Sequence, residues 1–323
     1  MVYENISIIV VGGLNTDIVG LGVPEIIANG ELSFGGKIQI GPGGKSRNIA
    51  QMISAFTKNN NVAMIGKSSK DPYGLWKPPI NALKESGVNI DFVKILEFEE
   101  TGKYPGIALI PVDSNGNNQI YVLPGINNDF SSEDINNSQL LFKNASHTGG
   151  ILALSLEIPL KTAIRSLELA KEYNLKSVLD PGGIVKNVNY SGLLNKNIFL
   201  IKPNEHEAKI LTGVTVTDFE SAKKSASIFF EKGIQNVLIT MGAGGAYFFN
   251  EKHEEYIKIP KINLPNTKDE TGCGDQTVAT LCAFLSEGVE IIQAAKYAII
   301  SGTLQFQKIG IEPITQDELN KYL

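Results

Sequence analysis

Short β-branched runs alternate with helix-period segments over most of the chain, which confines it to parallel strands joined by crossover helices. Ile8–Val11, Val62–Ile65, Ser177–Asp180, Ile198–Lys202 and Val237–Thr240 read as buried strands. Over Pro159–Tyr173, Leu160, Ala163, Ile164, Leu167 and Ala170 recur at i, i+3, i+4 and i+7 spacing, leaving Lys161, Arg165, Glu168 and Lys171 outside. That pattern predicts an amphipathic helix. A second helix is expected near Asp218–Lys232, opened by a capping box from Thr217 to Glu220 and stopped at Gly233. Pro78 and Pro79 place the start of another, which runs to Ser86.

Two stretches break this rhythm, at about 14–40 and 92–123. Gly106–Pro111 and Gln119–Leu123 look like hairpin strands split by the turn-rich segment Asp113–Asn118. Such strands suit a small accessory sheet beside the main one. With 323 residues, no internal repeat and no low-complexity linker, the expectation is a single α/β domain over residues 1–323 that carries this sheet.

Apolar residues make up 42% and charged residues 20%, which excludes disordered, collagen-like and coiled-coil classes. The net charge of −5 argues against nucleic acid as the main partner, because a phosphate-tracking surface brings a Lys/Arg excess. Cys273 and Cys282 are too few for a disulfide framework, and His147, His206 and His253 have no zinc-ligand spacing. The apolar run Ile6–Val11 is too short for a signal peptide and no stretch is long enough to span a bilayer, so a cytoplasmic protein without a membrane partner is expected.

Many of the 32 glycines fall in short clusters, and two glycine-bearing stretches are decoys. Gly44-Lys45-Ser46 and Gly66-Lys67-Ser68 resemble the end of a phosphate-binding P-loop, but Gln39 and Asn61 stand where its first glycine is required. The turn after Val11 likewise lacks the G-x-G-x-x-G spacing of a dinucleotide fold. Asp269–Asp275 is more informative. Val278, Leu281, Cys282 and Leu285 mark one helical face beyond it, with Gly288 at the C-cap, so Gly272, Cys273 and Gly274 open a helix. Their free N–H groups would form an anion site at its positive end, with Asp275 in the first turn. A carboxylate there can also be a mere acidic cap.

Five motifs in order decide between these readings: Asn15-Thr-Asp17, Gly43-Gly-Lys-Ser-Arg-Asn48, Asn204-Glu-His-Glu207, Thr240-Met-Gly-Ala-Gly-Gly245 and Asp269 to Asp275. In this order the chain resembles the ribokinase-type sugar kinases, the PfkB carbohydrate kinases, from Ile8 to near Pro313. The resemblance implies a three-layer α/β fold, with a mostly parallel central sheet flanked by helices and a small β-sheet lid. It implies ATP and Mg²⁺, a small sugar acceptor, and a homodimer through the lid sheet. Asp275 then matches the catalytic base, and Gly272, Cys273 and Gly274 the anion hole. Asn15, Asp17, Gly43, Gly44, Asn48 and Glu157 match the sugar clamp, with Lys45 beside them as either a phosphate ligand or a residue with a surface or backbone role. Asn204, Thr240, Gly242 and Gly245 would hold nucleotide phosphates, and Glu207 would organise Mg²⁺ through water.

Ser46 replaces a glycine usual in ribokinases, Glu270 stands where Thr is common, and Gln276, Thr277 and Val278 replace a small residue and Phe. These departures touch local packing. Ribokinases also bind potassium through positions matching Asp269 and the carbonyls of Thr271, Gln305, Lys308 and Gly310, but Ile314 replaces a serine ligand. The clamp matches D-ribose as acceptor, giving ribose 5-phosphate. Nucleoside and hexose kinases share nearly all these motifs, and a non-catalytic sugar or nucleotide sensor is a further class.

Overall fold

The computed structural model describes residues 3–57, 61–260, 262 and 269–323. Its strands, in chain order, are β1 (Ile8–Val11), β2 (Asn15–Val23), β3 (Lys37–Gly43), β4 (Val62–Lys70), β5 (Asn89–Glu97), β6 (Gly106–Asp113) and β7 (Tyr121–Leu123). β8 (Ile151–Ser155), β9 (Lys176–Asp180), β10 (Leu200–Ile201), β11 (Asn236–Thr240), β12 (Ala246–Phe249) and β13 (Glu254–Ile257) follow. The large sheet has the order β13-β12-β11-β10-β9-β8-β1-β4-β5, parallel from β11 to β5 and antiparallel at β12 and β13.

Both faces of this sheet are covered, which is why its central strands are continuous apolar runs. Period-two alternation splits β1 between two cores. Ile8 and Val10 pack with the helices Lys45–Thr57, Cys273–Ser286 and Ile291–Gln305, while Ile9 and Val11 pack with Gln139–Ser146, Leu160–Glu172 and Phe219–Glu231. The result is three layers. Phe56 meets Phe284 edge-on at 5.5 Å, which locks the helix Lys45–Thr57 against Cys273–Ser286 and brings their N-terminal turns side by side.

β1 lies between β8 and β4, so the chain leaves it in one direction and later returns on its other side. The carboxyl ends of strands at such a reversal form a crevice, the usual ligand position in open α/β sheets. The smaller sheet, of order β3-β2-β6-β7, stands beside this crevice. β2 pairs antiparallel with β3 and parallel with β6, and β6 and β7 form the expected hairpin.

Three local expectations change. The segment 92–97 belongs to β5 of the large sheet rather than to the small one, because an apolar run that follows the helix Lys77–Glu85 is the natural parallel partner of β4. The helix after Thr217 is capped by Asp218 and Ser221, not by Thr217 and Glu220, since the Asp218 side chain accepts from the Ser221 N–H. The strand expected over Ile198–Lys202 narrows to Leu200–Ile201. Gly66-Lys67-Ser68 lies inside β4, and Lys67 Nζ is tied to Asp134 at 2.8 Å, so this decoy is structural.

Candidate active site

The acceptor side is built from the turn after β1 and the start of the helix Lys45–Thr57. Asn15 and Asp17 alternate onto one face of β2, and Asn15 pairs with Gly43 in register. A Cβ at Gly43 would fall 1.8 Å from Asp17 Oδ1, so only glycine lets this carboxylate lie against β3. Glu157 Oε2 accepts from the Lys45 backbone N–H at 2.9 Å and from Asn15 Nδ2 at 3.4 Å. Asn127, which the sequence did not single out, is buried and holds this corner. Its Nδ2 donates to Asn15 Oδ1 at 2.9 Å and its Oδ1 accepts from the Leu14 N–H.

Asp275 closes the other side. Gly272 caps its helix at φ 78°, a left-handed conformation that leaves Asp275 third in the first turn, 4% exposed. Asn48 Nδ2 donates to Asp275 Oδ2 at 2.7 Å, and Lys45 Nζ lies 3.8 Å from Asp275 Oδ1. Residues 227 positions apart in sequence thus share one hydrogen bond. The Gly272 and Gly274 N–H groups have no acceptor among the described residues, as an anion hole requires, whereas Cys273 N–H turns back onto the Glu270 carbonyl. The expected trio is therefore a pair of free donors. Burial pushes the Cys273 thiol up to about 12, so it is a neutral side chain there.

The electrostatics follow from packing many charges into one crevice. Burial pushes Asp17 up to about 6, with Arg47 opposing and Asp275 adding. Burial likewise raises Glu157 to about 7 against the pull of Lys45. The Asp275 carboxylate holds Lys45 above the usual lysine range, and burial opposes it. Burial would raise Asp180, but Lys202, Lys45 and the Gly182 N–H hold it below the usual carboxylate range.

Asp180, at the end of β9, and Lys202, just past β10, form a buried pair at 3.0 Å. Lys202 Nζ is 3.2 Å from where a Cβ on Gly274 would lie, so a second cation borders the free N–H groups. Lys202 was missed because a lone lysine at a strand end reads as solvated surface. Its place one residue before Pro203-Asn204 was the available signal.

Asn204 and Glu207 form a capping box: Asn204 Oδ1 accepts from Glu207 N–H at 2.8 Å and Glu207 Oε2 from Asn204 N–H at 2.9 Å. Burial and then the Asp180 charge raise Glu207. Thr240 bridges to Asn204, and Gly242 and Gly245 form the tight turn from β11 to β12. Of the residues expected to hold potassium, Asp269 accepts from Thr271 N–H at 2.8 Å and from Gly310 N–H at 2.7 Å. The Gln305 carbonyl accepts from Lys308 N–H, and the Gly310 carbonyl from Gln305 Nε2. Gln305 also buries Oε1 without a partner among the described residues. The departures are accommodated: Ser46 Oγ donates to the Val11 carbonyl at 2.9 Å, and Gln276 Oε1 accepts from Ile314 N–H at 3.0 Å.

A pocket that sets one carboxylate between an amide-rich clamp and a glycine-opened helix can deprotonate a hydroxyl beside an anion site. A family model for pfkB family carbohydrate kinases matches residues 5–317. The chain is 32% identical to a bifunctional ribokinase/ribose-5-phosphate isomerase A of Fructilactobacillus sanfranciscensis, over 98% of this chain and 57% of that longer protein. It is 25% identical to a deoxyribokinase of Salmonella typhi over 98% of both chains. The structure of Arabidopsis thaliana ribokinase complexed with ribose and ATP superposes with a TM-score of 0.84, at 25% identity over 98% of this chain and 97% of that one. Fold, motif order and these likenesses agree that the chain belongs to the pfkB family of carbohydrate kinases, phosphotransferases that act on an alcohol group.

Proposed function

We propose that this kinase transfers the γ-phosphate of ATP to a hydroxyl of a pentose, with D-ribose to ribose 5-phosphate the favoured reaction. The observation that carries this reading is the hydrogen bond between Asn48, on the acceptor side, and Asp275, in the first turn of the glycine-opened helix. Asp275 takes the proton of the acceptor hydroxyl as its oxygen bonds to the γ-phosphorus, and the electron pair of the breaking P–O bond leaves with ADP. The Gly272 and Gly274 N–H groups, with the Lys45 and Lys202 ammonium groups, stabilise charge on the transferring phosphoryl.

Asp17, Asn15, Asn48 and Glu157, with the Gly43–Gly44 backbone, hold the sugar. Carboxylates and amides at this spacing suit a vicinal diol. Asn204, Thr240, Gly242 and Gly245 take the nucleotide phosphates. Glu207 fits a hydrated Mg²⁺, because a cation there would offset the burial and the Asp180 charge that raise it. When bound, Mg²⁺ neutralises phosphate charge. Potassium would be held beside the anion hole by Asp269 and the Thr271, Gln305, Lys308 and Gly310 carbonyls, and Ile314 offers no side-chain oxygen to it; Gln305 buries Oε1 without a partner among the described residues.

The small sheet then serves as a lid over the sugar. Its outer face supports a homodimer: Ile40, Ile18, Leu109 and Tyr121 are register partners in one apolar row, with Ile38 74% exposed nearby. ADP release measured over pentoses including 2-deoxyribose, hexoses, inositols and nucleosides, with and without potassium, tests the assignment. Highest kcat/KM on D-ribose supports it. Preference for 2-deoxyribose, a hexose or a nucleoside reassigns the acceptor, and no turnover with thermal stabilisation by one sugar makes the protein a sensor.

A further inference from the structure

Arg47 has no part in the chemistry above, yet it is fully buried in the first turn of the helix Lys45–Thr57. A cation is disfavoured at the positive end of a helix and inside the molecule. Its hydrogen-bond partners are all neutral oxygens. Nε donates to the Gly43 carbonyl at 3.2 Å, Nη2 to the Pro42 carbonyl at 2.8 Å and to Asn48 Oδ1, and Nη1 to Gln51 Oε1. The charges that act on it through space are Asp17, Asp275 and Glu157.

The Asn48 amide is therefore set between two ions. Oδ1 faces the Arg47 guanidinium, which only donates, and Nδ2 faces the Asp275 carboxylate, which accepts at 2.7 Å. Reversing the amide would put NH₂ against the guanidinium and C=O against the carboxylate. Donor would then face donor and acceptor face acceptor, and both hydrogen bonds would be lost.

We propose that Arg47 is a positioning residue: it fixes the orientation of the Asn48 amide, so that Nδ2 always holds Asp275 Oδ2 and leaves Oδ1 for the acceptor hydroxyl. The same guanidinium grips the carbonyls at the end of β3, so the small sheet and the base are set by one side chain. This deepens the kinase reading and rests on it for its catalytic consequence.

Two measurements test it. In a double-mutant cycle, Arg47→Gln alone should lower kcat roughly 10–100-fold, as small misplacements of a reacting group do. In an Asn48→Ala background the same change should alter kcat by less than about 2-fold, because the two residues act as one unit. Arg47→Lys keeps the charge and one donor to Asn48 and should recover part of the loss. It also carries the test if the glutamine variant does not fold. A role confined to stability would lower the melting temperature of each variant and give multiplicative kcat effects, which would overturn the proposal.

The second measurement needs no turnover and so separates this proposal from the kinase assignment. The Asn48 side-chain NH₂ signals, identified in an NMR spectrum by their absence in Asn48→Ala, should shift in Asp275→Asn. They should move toward free-amide positions in Arg47→Gln or Arg47→Lys. Unchanged signals in both Arg47 variants would overturn the proposal even in an active enzyme.

Discussion

Asp17 and Glu157, assigned above to the proposed sugar clamp, show what burying two carboxyls costs at the level of single residues. Both carboxyls titrate higher in the folded chain than in the unfolded one, Asp17 at about 6 and Glu157 at about 7, chiefly through burial. The folded state therefore binds more protons than the unfolded state between about pH 4 and pH 7, and stability falls as pH rises through that window. Accepting hydrogen bonds from sugar hydroxyls needs the ionised forms, so kcat/KM for the acceptor should rise through the same window. Asp17→Asn should raise the melting temperature more at about pH 8 than at about pH 5, and raise acceptor KM at least about tenfold. Thermal melts and acceptor titrations at both pH values check this; a variant less stable at pH 8 would refute the burial argument.

Elements place these residues by converging two helix N-termini and the carboxyl ends of β1, β8, β9 and β10. The Asp180–Lys202 pair ties two of those strand ends together, with both side chains nearly inaccessible. Lys202→Met leaves a buried carboxylate without its cation and should cost about 3–5 kcal/mol in chemical denaturation. Adding Asp180→Asn should recover much of that stability, while turnover stays low because the anion hole has lost a cation. A stable single variant would show that the pair is solvated.

The strands, the helix at Cys273–Ser286 and the motif order were legible because apolar periodicity and glycine placement are local signals. Asn48 and Asp275, from two of the motifs, share a hydrogen bond, as do Asn15, from a third, and Glu157, which was matched separately. What was illegible depends on tertiary pairing. Asn127 and the fourfold contacts of Arg47 carry no local mark of their burial, Lys202 was marked only by its strand end and the following Pro203-Asn204, and residues 92–97 could not reveal which sheet they would join.

At the scale of the whole molecule, the strand ends of the large sheet border the candidate site, and the small sheet sets Asn15 and Asp17 on one face and an exposed apolar row on the other. Among the described residues no helix is long and apolar enough to cross a membrane, and the small sheet exposes an apolar row that includes Ile38, Ile40, Leu109 and Tyr121. A second copy of the chain is the proposed occupant. Ile38→Glu combined with Ile40→Glu should convert a species of twice the chain mass to a single chain in sedimentation equilibrium, with acceptor KM rising as the lid loses support. A wild-type chain that sediments as a monomer would rule this out.

In the proposed mechanism one carboxylate, Asp275, presented by a glycine-opened helix, drives phosphoryl transfer. Its most direct test is ADP release with D-ribose by wild type and by Asp275→Asn. Wild type should turn over clearly, and the variant's kcat should fall roughly 10²–10⁴-fold with an unchanged melting temperature. Near-normal turnover by a folded Asp275→Asn would contradict it.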